Sequence, residues 1–425
     1  MVDRPNLLLF LASDLGFGDV GCFGNTAHRT PHLDRLAAEG VRLTDCHGNG
    51  PMCSPSRAAL LTGQYPQRVG VEFVLNHHTR DLPPMAADAY TFGHACRAAG
   101  YATGFCGVHH TGYLPENSPL DLGFDEFWGL CGGMDHHSHV TRWGQPNWWH
   151  GRERVAEPGY ASDLIANHAL DFIAAHRDRP FCLHVADFLV HFPWQGPHDP
   201  PDFVAGQTYD EPARKYGSRT DRRTAYAAMI AALDRSVGRI AGQLDALGLA
   251  ARTLFVFAAD HGGHHLVANH GPLAGAKGSL LEGGHRVPAF ARWPGVLPAG
   301  RVCTETVMLM DLFPTFCGLC GLAGPRGRAF DGIDVWPALS AAAPLPERTL
   351  CWRHGTERAA RRGRWKLLCA DGPARLFDLA TDLGETRDRA AERPDVAARL
   401  ADELARWEAD VPPAPVPRGG EGGRA

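Results

Sequence analysis

The densest chemistry in the chain lies at Cys53-Ser54-Pro55-Ser56-Arg57, which runs on into Ala58-Ala59-Leu60-Leu61-Thr62-Gly63. Proline suits the first turn of a helix and glycine the position just past its end, so a helix is predicted over Pro55–Thr62 with Gly63 as its stop. A cysteine just before such a helix sits where free N–H groups and the helix dipole favour an anion. Arg57, one turn on, can grip an anion with its planar fork of donors. On residue type alone Cys53 keeps two readings, a thiolate nucleophile or a buried structural cysteine.

The elements that must position this group follow from the hydrophobic pattern. Asn6–Ala12, Val41–Thr44, Ala102–Gly107, Phe181–Phe188 and Thr253–Ala259 are apolar runs of strand length. Between them lie predicted helices over Thr30–Glu39, Phe92–Ala99, Asp163–His176 and Thr224–Leu247, several closed by glycine. Strands alternating with helices imply an α/β fold, a large mostly parallel sheet sandwiched by helices. Ligands bind such sheets beyond the carboxyl ends of the strands. Ser13-Asp14, His109-His110, His191 and Asp260-His261 all come just after predicted strands.

Past about residue 340 the texture changes. Leu350–Trp352, Ala359–Leu368 and Arg375–Leu379 are predicted as short strands, followed by an amphipathic helix over Asp395–Trp407. The expected organisation is an α/β domain over 1–340, a small C-terminal antiparallel sheet plus helix over 341–411, and a disordered Pro/Gly-rich tail over 412–425.

Composition narrows the function. Hydrophobic residues make up 44% and charged residues 21% of 425, with a net charge of −5, so no positive field points to nucleic acid or an anionic membrane. The N-terminus lacks a signal-peptide pattern and Leu7–Leu11 is too short to span a bilayer, giving an expectation of a cytoplasmic protein. Twelve cysteines lack the dense spacing of a disulfide scaffold, and Cys317-Gly-Leu-Cys320 has no second pair with which to build a zinc site. Histidine is abundant at 23 residues, and it is the side chain most used for proton transfer and metal binding near neutral pH.

Cys-x-Pro-x-Arg followed by Ala-Ala-Leu-Leu-Thr-Gly resembles the signature of the sulfatases, in the alkaline-phosphatase superfamily, whose cysteine is oxidised to formylglycine. Five more segments are similar to the family in order: Arg4–Asp19, Thr30–Gly40, His191-Phe-Pro, Ala259–Gly262 and Gly275–Pro288, and Arg364–Leu367 extends the likeness toward the C-terminus. The resemblance implies hydrolysis of sulfate esters, of a sulfated sugar or an aryl sulfate. One hydroxyl of the formylglycine hydrate would attack sulfur and the other would drive out sulfate. It implies a divalent metal, Ca²⁺ first with Mg²⁺, Mn²⁺ or Zn²⁺ open, held by Asp14, Asp260, His261 and residue 53. Arg57 would orient the diol, His110 would bind it or assist its collapse, and His191 would bind sulfate or protonate the leaving oxygen. Lys277 would neutralise sulfate charge and Ser138 would touch it. A formylglycine-generating enzyme is the implied maturation partner. The oligomeric state and the organic half of the substrate are not readable.

The sequence departs from the family at three places. Ser13 stands where a second aspartate is usual, His261 where asparagine is frequent, and Val108 where a lysine reaches the sulfate. Fewer carboxylates plus an imidazole shift the metal preference from Ca²⁺ toward Mn²⁺ or Zn²⁺. The departures also admit a phosphonate or phosphate ester hydrolase on the same scaffold, or an inactive homologue kept for binding. Of the other marked residues, His77-His78 and His264-His265 are expected at the surface or the pocket rim. Trp143, Trp148 and Trp149 are divided between stacking on a sugar and covering the core edge.

Overall fold

The computed structural model describes residues 4–76, 79–209, 211, 214–327, 329–370 and 372–413. His77, His78 and the expected tail from 414 onward lie outside the described residues.

The strands of the main sheet are β1 (Asn6–Ala12), β2 (Val41–His47), β3 (Ala102–His109), β4 (Glu126–Cys131), β5 (Trp149–His150), β6 (Glu153–Arg154), β7 (Phe181–Ala186), β8 (Thr253–Ala259), β9 (Arg286–Arg292), β10 (Arg301–Cys303) and β11 (Val307–Met308). They are ordered β10-β2-β9-β8-β1-β7-β3-β4-β5-β6, with β11 beside β2. The helices are α1 (Pro31–Ala38), α2 (Cys53–Thr62), α3 (Phe92–Ala98), α4 (Ala161–Ala175), α5 (Arg222–Ala246), α6 (Glu282–His285), α7 (Leu312–Cys320), α8 (Trp336–Ala341) and α9 (Pro394–Asp410). Helix α5 packs on α1 and α4, and α2 packs on α3 and α7, so the sheet is flanked by two helical groups. β12 (Thr349–His354), β13 (Glu357–Arg362), β14 (Trp365–Cys369) and β15 (Arg375–Asp378) form a separate antiparallel sheet against α9.

The centre of the main sheet is parallel. β8, β1, β7 and β3 are consecutive neighbours, every residue of β1 is buried, and Ala12 pairs with Ala259 while Leu11 pairs with Ala186. Strands buried on both faces read as continuous apolar runs rather than alternating ones, which is the pattern of Leu7-Leu-Leu-Phe-Leu-Ala12. Because these four strands end at nearly one level, the loops after them open side by side. Gly107 is required for the close packing of β3: a Cβ there would lie 1.9 Å from the Ala186 carbonyl oxygen, and its φ is +121°.

The same burial makes the fold acid-sensitive. Burial lowers His184 on β7 and His136 to pKa about 3, and His109 at the end of β3 to about 4. Burial raises Asp187, just after β7, to about 6. The imidazoles stay neutral in the native state while the unfolded chain takes up protons near pH 6.5, so stability falls as pH drops from 6.5 toward 4. Asp187 opposes this, since the native state takes its proton first below pH 6. Three imidazoles outweigh one carboxyl, and these four groups by themselves should make the unfolding free energy at pH 5 about 4 kcal/mol lower than at pH 7, with other buried histidines such as His191 acting in the same direction. Denaturant midpoints at the two pH values check this.

Candidate active site

Asp14 follows β1, His110 follows β3, His191 lies a short loop beyond β7, and Asp260 and His261 follow β8. Asp14 takes φ +59°, uncommon for a residue with a side chain, and its amide donates to Asp260 Oδ1 at 3.1 Å. Such backbone strain persists only where surrounding contacts hold it. The His261 amide donates to the same oxygen at 3.0 Å. Asp260 Oδ2 faces Arg57, accepting from Nη2 at 2.8 Å and Nε at 3.2 Å.

Cys53 opens α2 as its first residue, two positions earlier than predicted, with Met52 extended before it. The free N–H groups of the first turn therefore begin at the cysteine itself. Its Sγ lies 3.1 Å from His261 Nε2, and 3.8 Å from both Asp14 Oδ1 and Lys277 Nζ. Lys277 Nζ is 2.6 Å from Asp14 Oδ2. Four of the residues expected to bind metal, Asp14, Cys53, Asp260 and His261, thus bring a ligand atom each within 4.8 Å of one another, all buried.

Electrostatics sharpen the picture. Burial would raise the Asp14 carboxyl, but Lys277, His191 and His261 outweigh it and hold the group well below the usual carboxylate range. Burial pushes the Cys53 thiol up to about 12 despite Lys277, so the unmodified side chain is a thiol at neutral pH, not a thiolate. Lys277 is held above its ordinary value: burial lowers it, and Asp14, Cys53 and Asp260 together more than compensate.

The donor set fits a divalent cation. His261 Nδ1 lies 2.8 Å from the Gly262 carbonyl, which fixes the proton on Nδ1 and leaves the Nε2 lone pair facing inward. That lone pair points at two carboxylate oxygens, Asp14 Oδ1 at 3.4 Å and Asp260 Oδ1 at 3.5 Å. Among the described residues the Cys53 thiol, 3.1 Å from Nε2, is the one side-chain hydrogen turned toward these three acceptors, and a cation between them would satisfy all three together. Gly262 is needed for this placement, since a Cβ would lie 1.8 Å from the Gly283 carbonyl.

Ser13 does not replace the missing carboxylate. Its hydroxyl donates to the Asp187 carbonyl at 2.8 Å and accepts from Arg57 Nη2 at 2.7 Å, and the Val108 carbonyl accepts from Arg57 Nη1 at 3.1 Å. Two of the three departures from the sulfatase pattern, Ser13 and Val108, are therefore contacts of Arg57, a role that side-chain identity alone did not signal. Arg57 in turn is committed to Asp260, Ser13 and Val108.

His110 and His191 are buried imidazoles on either side of Gly132-Gly133. A Cβ at Gly132 would lie 3.5 Å from His110 Nε2, and one at Gly133 would lie 3.4 Å from His191 Cε1. Burial lowers His191 to about 4 and holds His110 well below its ordinary value, so both are neutral at pH 7. His191 Nδ1 contacts the Phe192 carbonyl at 2.5 Å, leaving Nε2 free to face a ligand. His110 Nε2 and Ser138 Oγ are buried polar atoms with no partner, as atoms that await a ligand are. Ser138 sits on a loop organised by Asp135, which accepts from the amides of His137, Ser138, Asp202 and Phe203 and from Gln195. His136 Nε2 lies 3.1 Å from the His191 carbonyl, so that loop is joined to the His191 loop.

Other marked residues separate clearly. Trp148 and Trp149 are 1% and 3% exposed and belong to the core, while Trp143 is half-buried. His264 is buried against Phe192, Trp194 and Tyr216, and His265 is exposed and stacked on it. Cys317 and Cys320 lie on α7 and join no metal-binding group among the described residues. A second cluster, His47, Glu282 and His285, is contacted by Lys366 Nζ (3.2 Å from His285 Nε2) and Arg361 Nη1 (2.9 Å from His47 Nε2). Cations of the chain itself already fill that cluster.

Comparison with known proteins agrees. The sulfatase family profile matches residues 5–322. N-acetylgalactosamine-6-sulfatase of Sus scrofa is 33% identical, over 85% of this chain and 71% of its own. Steryl-sulfatase of Mus musculus is 30% identical, over 82% and 67%. The crystal structure of Ps i-CgsB in complex with k-i-k-neocarrahexaose superposes with a TM-score of 0.85 at 31% identity, covering 96% of this chain and 94% of that one. With its fold, its buried Asp14–Cys53–Asp260–His261 cluster and these relatives, the chain belongs to the sulfatase family of sulfuric ester hydrolases.

Proposed function

We propose that the chain hydrolyses the sulfate ester of a sulfated sugar, with residue 53 acting as formylglycine and a divalent cation at Asp14, Asp260 and His261. The observation that carries this reading is the approach of Cys53 Sγ to His261, Asp14 and Lys277 within a buried cluster. A thiol held near 12 is a poor nucleophile at neutral pH, which favours a modified residue 53 over direct thiolate attack. The sugar half rests on relatives that are an N-acetylgalactosamine-6-sulfatase and a protein solved with k-i-k-neocarrahexaose.

In this reading a bound cation would supply Lewis acidity to the reaction. The chain supplies the rest. Asp14, Asp260 and the Nε2 lone pair of His261 hold the cation, and Arg57 fixes Asp260. Lys277 and the Nε2 of His191 meet the sulfate oxygens, with Ser138 Oγ reaching in from the adjoining loop. Neutral His110 would accept the proton of the remaining residue-53 hydroxyl as the bond from the residue-53 carbon to the sulfate oxygen breaks and the aldehyde returns, through the Nε2 that has no other partner. Lys277 is then the cation that meets sulfate charge where Val108 offers none.

Mass spectrometry of residue 53 in protein co-expressed with a formylglycine-generating enzyme, alongside aryl sulfate turnover and elemental analysis, tests this. The expected result is the aldehyde or its hydrate, about one equivalent of divalent metal, and sulfate release lost in Cys53→Ala. Unmodified cysteine under conditions that mature another sulfatase overturns the mechanism. Turnover of a phosphonate ester in preference to the sulfate ester moves the chain to phosphohydrolase chemistry.

A further inference from the structure

Beside the reacting cluster stands an aromatic wall that the mechanism does not use. Phe192 lies against His191 (ring centroids 4.1 Å apart) and meets Tyr216 edge-on at 5.3 Å. Tyr216 stacks on Trp194 at 5.2 Å with the planes 3° apart. Phe192 and Tyr216 are half-buried, so each shows part of a ring to solvent next to the site.

Cations decorate this wall. Lys277 Nζ, inside the cluster, sits 5.3 Å from the Phe192 centroid, and Lys215 Nζ sits 5.9 Å from the same centroid. The two ammonium groups can be no farther apart than these distances added, roughly 11 Å, a span within reach of anionic groups on one sugar and its neighbour. Lys215 Nζ is 4.7 Å and Arg222 Cζ 5.2 Å from the Tyr216 centroid. Lys277 is paired with Asp14 inside the cluster. Neither Lys215 nor Arg222 has a carboxylate partner among the described residues, and Arg222 Nε is buried with no hydrogen-bond partner at all.

Two cations on aromatic faces, without a carboxylate partner among the described residues and beside the cluster read as the site of one anion, are complementary to a second anion. We propose that Lys215 and Arg222, on the wall of Phe192, Tyr216 and Trp194, form a second anion subsite, so that the preferred substrate is an oligosaccharide bearing a further sulfate or carboxylate on a sugar near the ester that is cleaved. Phe192 and Tyr216 take the apolar face of the sugar, with Trp194 buried behind Tyr216 as their support, and the two cations take its charge. This rests on the reading of the Cys53 cluster as the sulfate-ester site.

The test compares wild type with Lys215→Gln/Arg222→Gln and with the charge reversal Lys215→Glu. Three substrates are used: an aryl sulfate, a monosulfated disaccharide, and disaccharides carrying a second sulfate or a uronate carboxylate. For the doubly anionic sugars the double variant should lose about tenfold in kcat/KM, carried by KM, and the response of KM to salt should flatten. The aryl sulfate and the monosulfated sugar should change by less than about twofold. The arm that loses more, sulfate or carboxylate, identifies the second group. Equal losses on all substrates, or wild-type indifference to the second charge, overturn the subsite. Calorimetry with the Cys53→Ala chain reads binding without turnover. Tighter binding of the doubly anionic sugar that disappears in the Lys215 and Arg222 variants upholds the subsite even if no sulfate ester is hydrolysed, and equal binding rejects it even if one is.

Discussion

Asp260→Asn is expected to lower divalent-metal affinity at least a hundredfold and sulfate-ester turnover about a thousandfold, with a stability loss of about 3 kcal/mol. The reason is a count of donors. Asp260 Oδ1 accepts from the amides of Asp14 and His261, and Oδ2 accepts twice from Arg57. Each carboxylate oxygen therefore accepts from two donors, Oδ1 also facing the His261 Nε2 lone pair at 3.5 Å where a cation would lie, and asparagine offers one acceptor and one NH₂. Whichever way the amide turns, two donors confront a third. Turned toward Arg57, it leaves a 3% exposed guanidinium without its counter-charge, although Ser13 and Val108 still accept from it. Turned toward the backbone, it releases the Asp14 amide and with it the φ +59° conformation that aims the Asp14 carboxylate. Elemental analysis after desalting, denaturant midpoints and aryl sulfate kinetics read the three effects. Metal content and turnover within twofold of wild type would show that Asp260 is merely a partner for Arg57.

The same donor count explains what sequence reading could and could not reach. β1 and β8 were legible to the residue because strands buried on both faces are uninterrupted apolar runs, and the polar residues that end them had to lie at the strands' carboxyl ends. The antiparallel strand Arg286–Arg292 was not legible as a strand: it begins and ends with arginines that find carboxylates only through the fold, Asp45 and Glu282 at one end and Glu39 at the other. Ala359–Leu368 was expected as one strand and is two, β13 and β14. Gly363, with φ +56°, turns the chain so that Arg362 pairs with Trp365, and charged residues on both sides of it hid the break.

Within the site, Cys53, Asp14, Asp260, His261 and Lys277 were recoverable because each sits in a local motif. The work of Ser13 and Val108 was not. It depends on Arg57, which reaches them across 44 and 51 residues of sequence, and one of the two groups involved is a main-chain carbonyl. A carbonyl leaves no trace in side-chain identity. Val108 thus reads from sequence only as a lost lysine, although its backbone holds the arginine that holds Asp260. Trp148 is similar: its indole nitrogen is satisfied by Glu157 inside the fold, which removes the need for a polar surface that made it a sugar-stacking candidate.

Lys366→Met is expected to cost about 3 to 5 kcal/mol of stability, and much of that should return when Glu385→Leu is added. Lys366 is fully buried on β14, with Nζ 3.0 Å from Glu282 Oε1 and 3.2 Å from His285 Nε2. It also lies 2.9 Å from Glu385 Oε1, a charge contact off the alignment of a hydrogen bond. Around it Arg361 and Arg286 meet Asp45 and Glu282, so three cations balance three carboxylates in a dry volume. Burial would raise Glu282, but Lys366, His47 and Arg361 hold it well below its ordinary range, whereas burial leaves Glu385 raised. Glu385 is therefore the carboxylate with less support, and removing the ammonium strands it first. Deleting both leaves a network with two cations and two anions, which apolar atoms can pack against. Function should follow, because α6, which carries Glu282, lies just after Lys277 in the chain. Loosening it should raise KM for an aryl sulfate as Lys277 loses its fixed approach to Asp14. Denaturant midpoints for the two single variants and the double, with kinetics on each, close the cycle. Additive losses would mean that Lys366 and Glu385 do not sense each other's charge, and that the small sheet holds the Lys277 segment by packing alone.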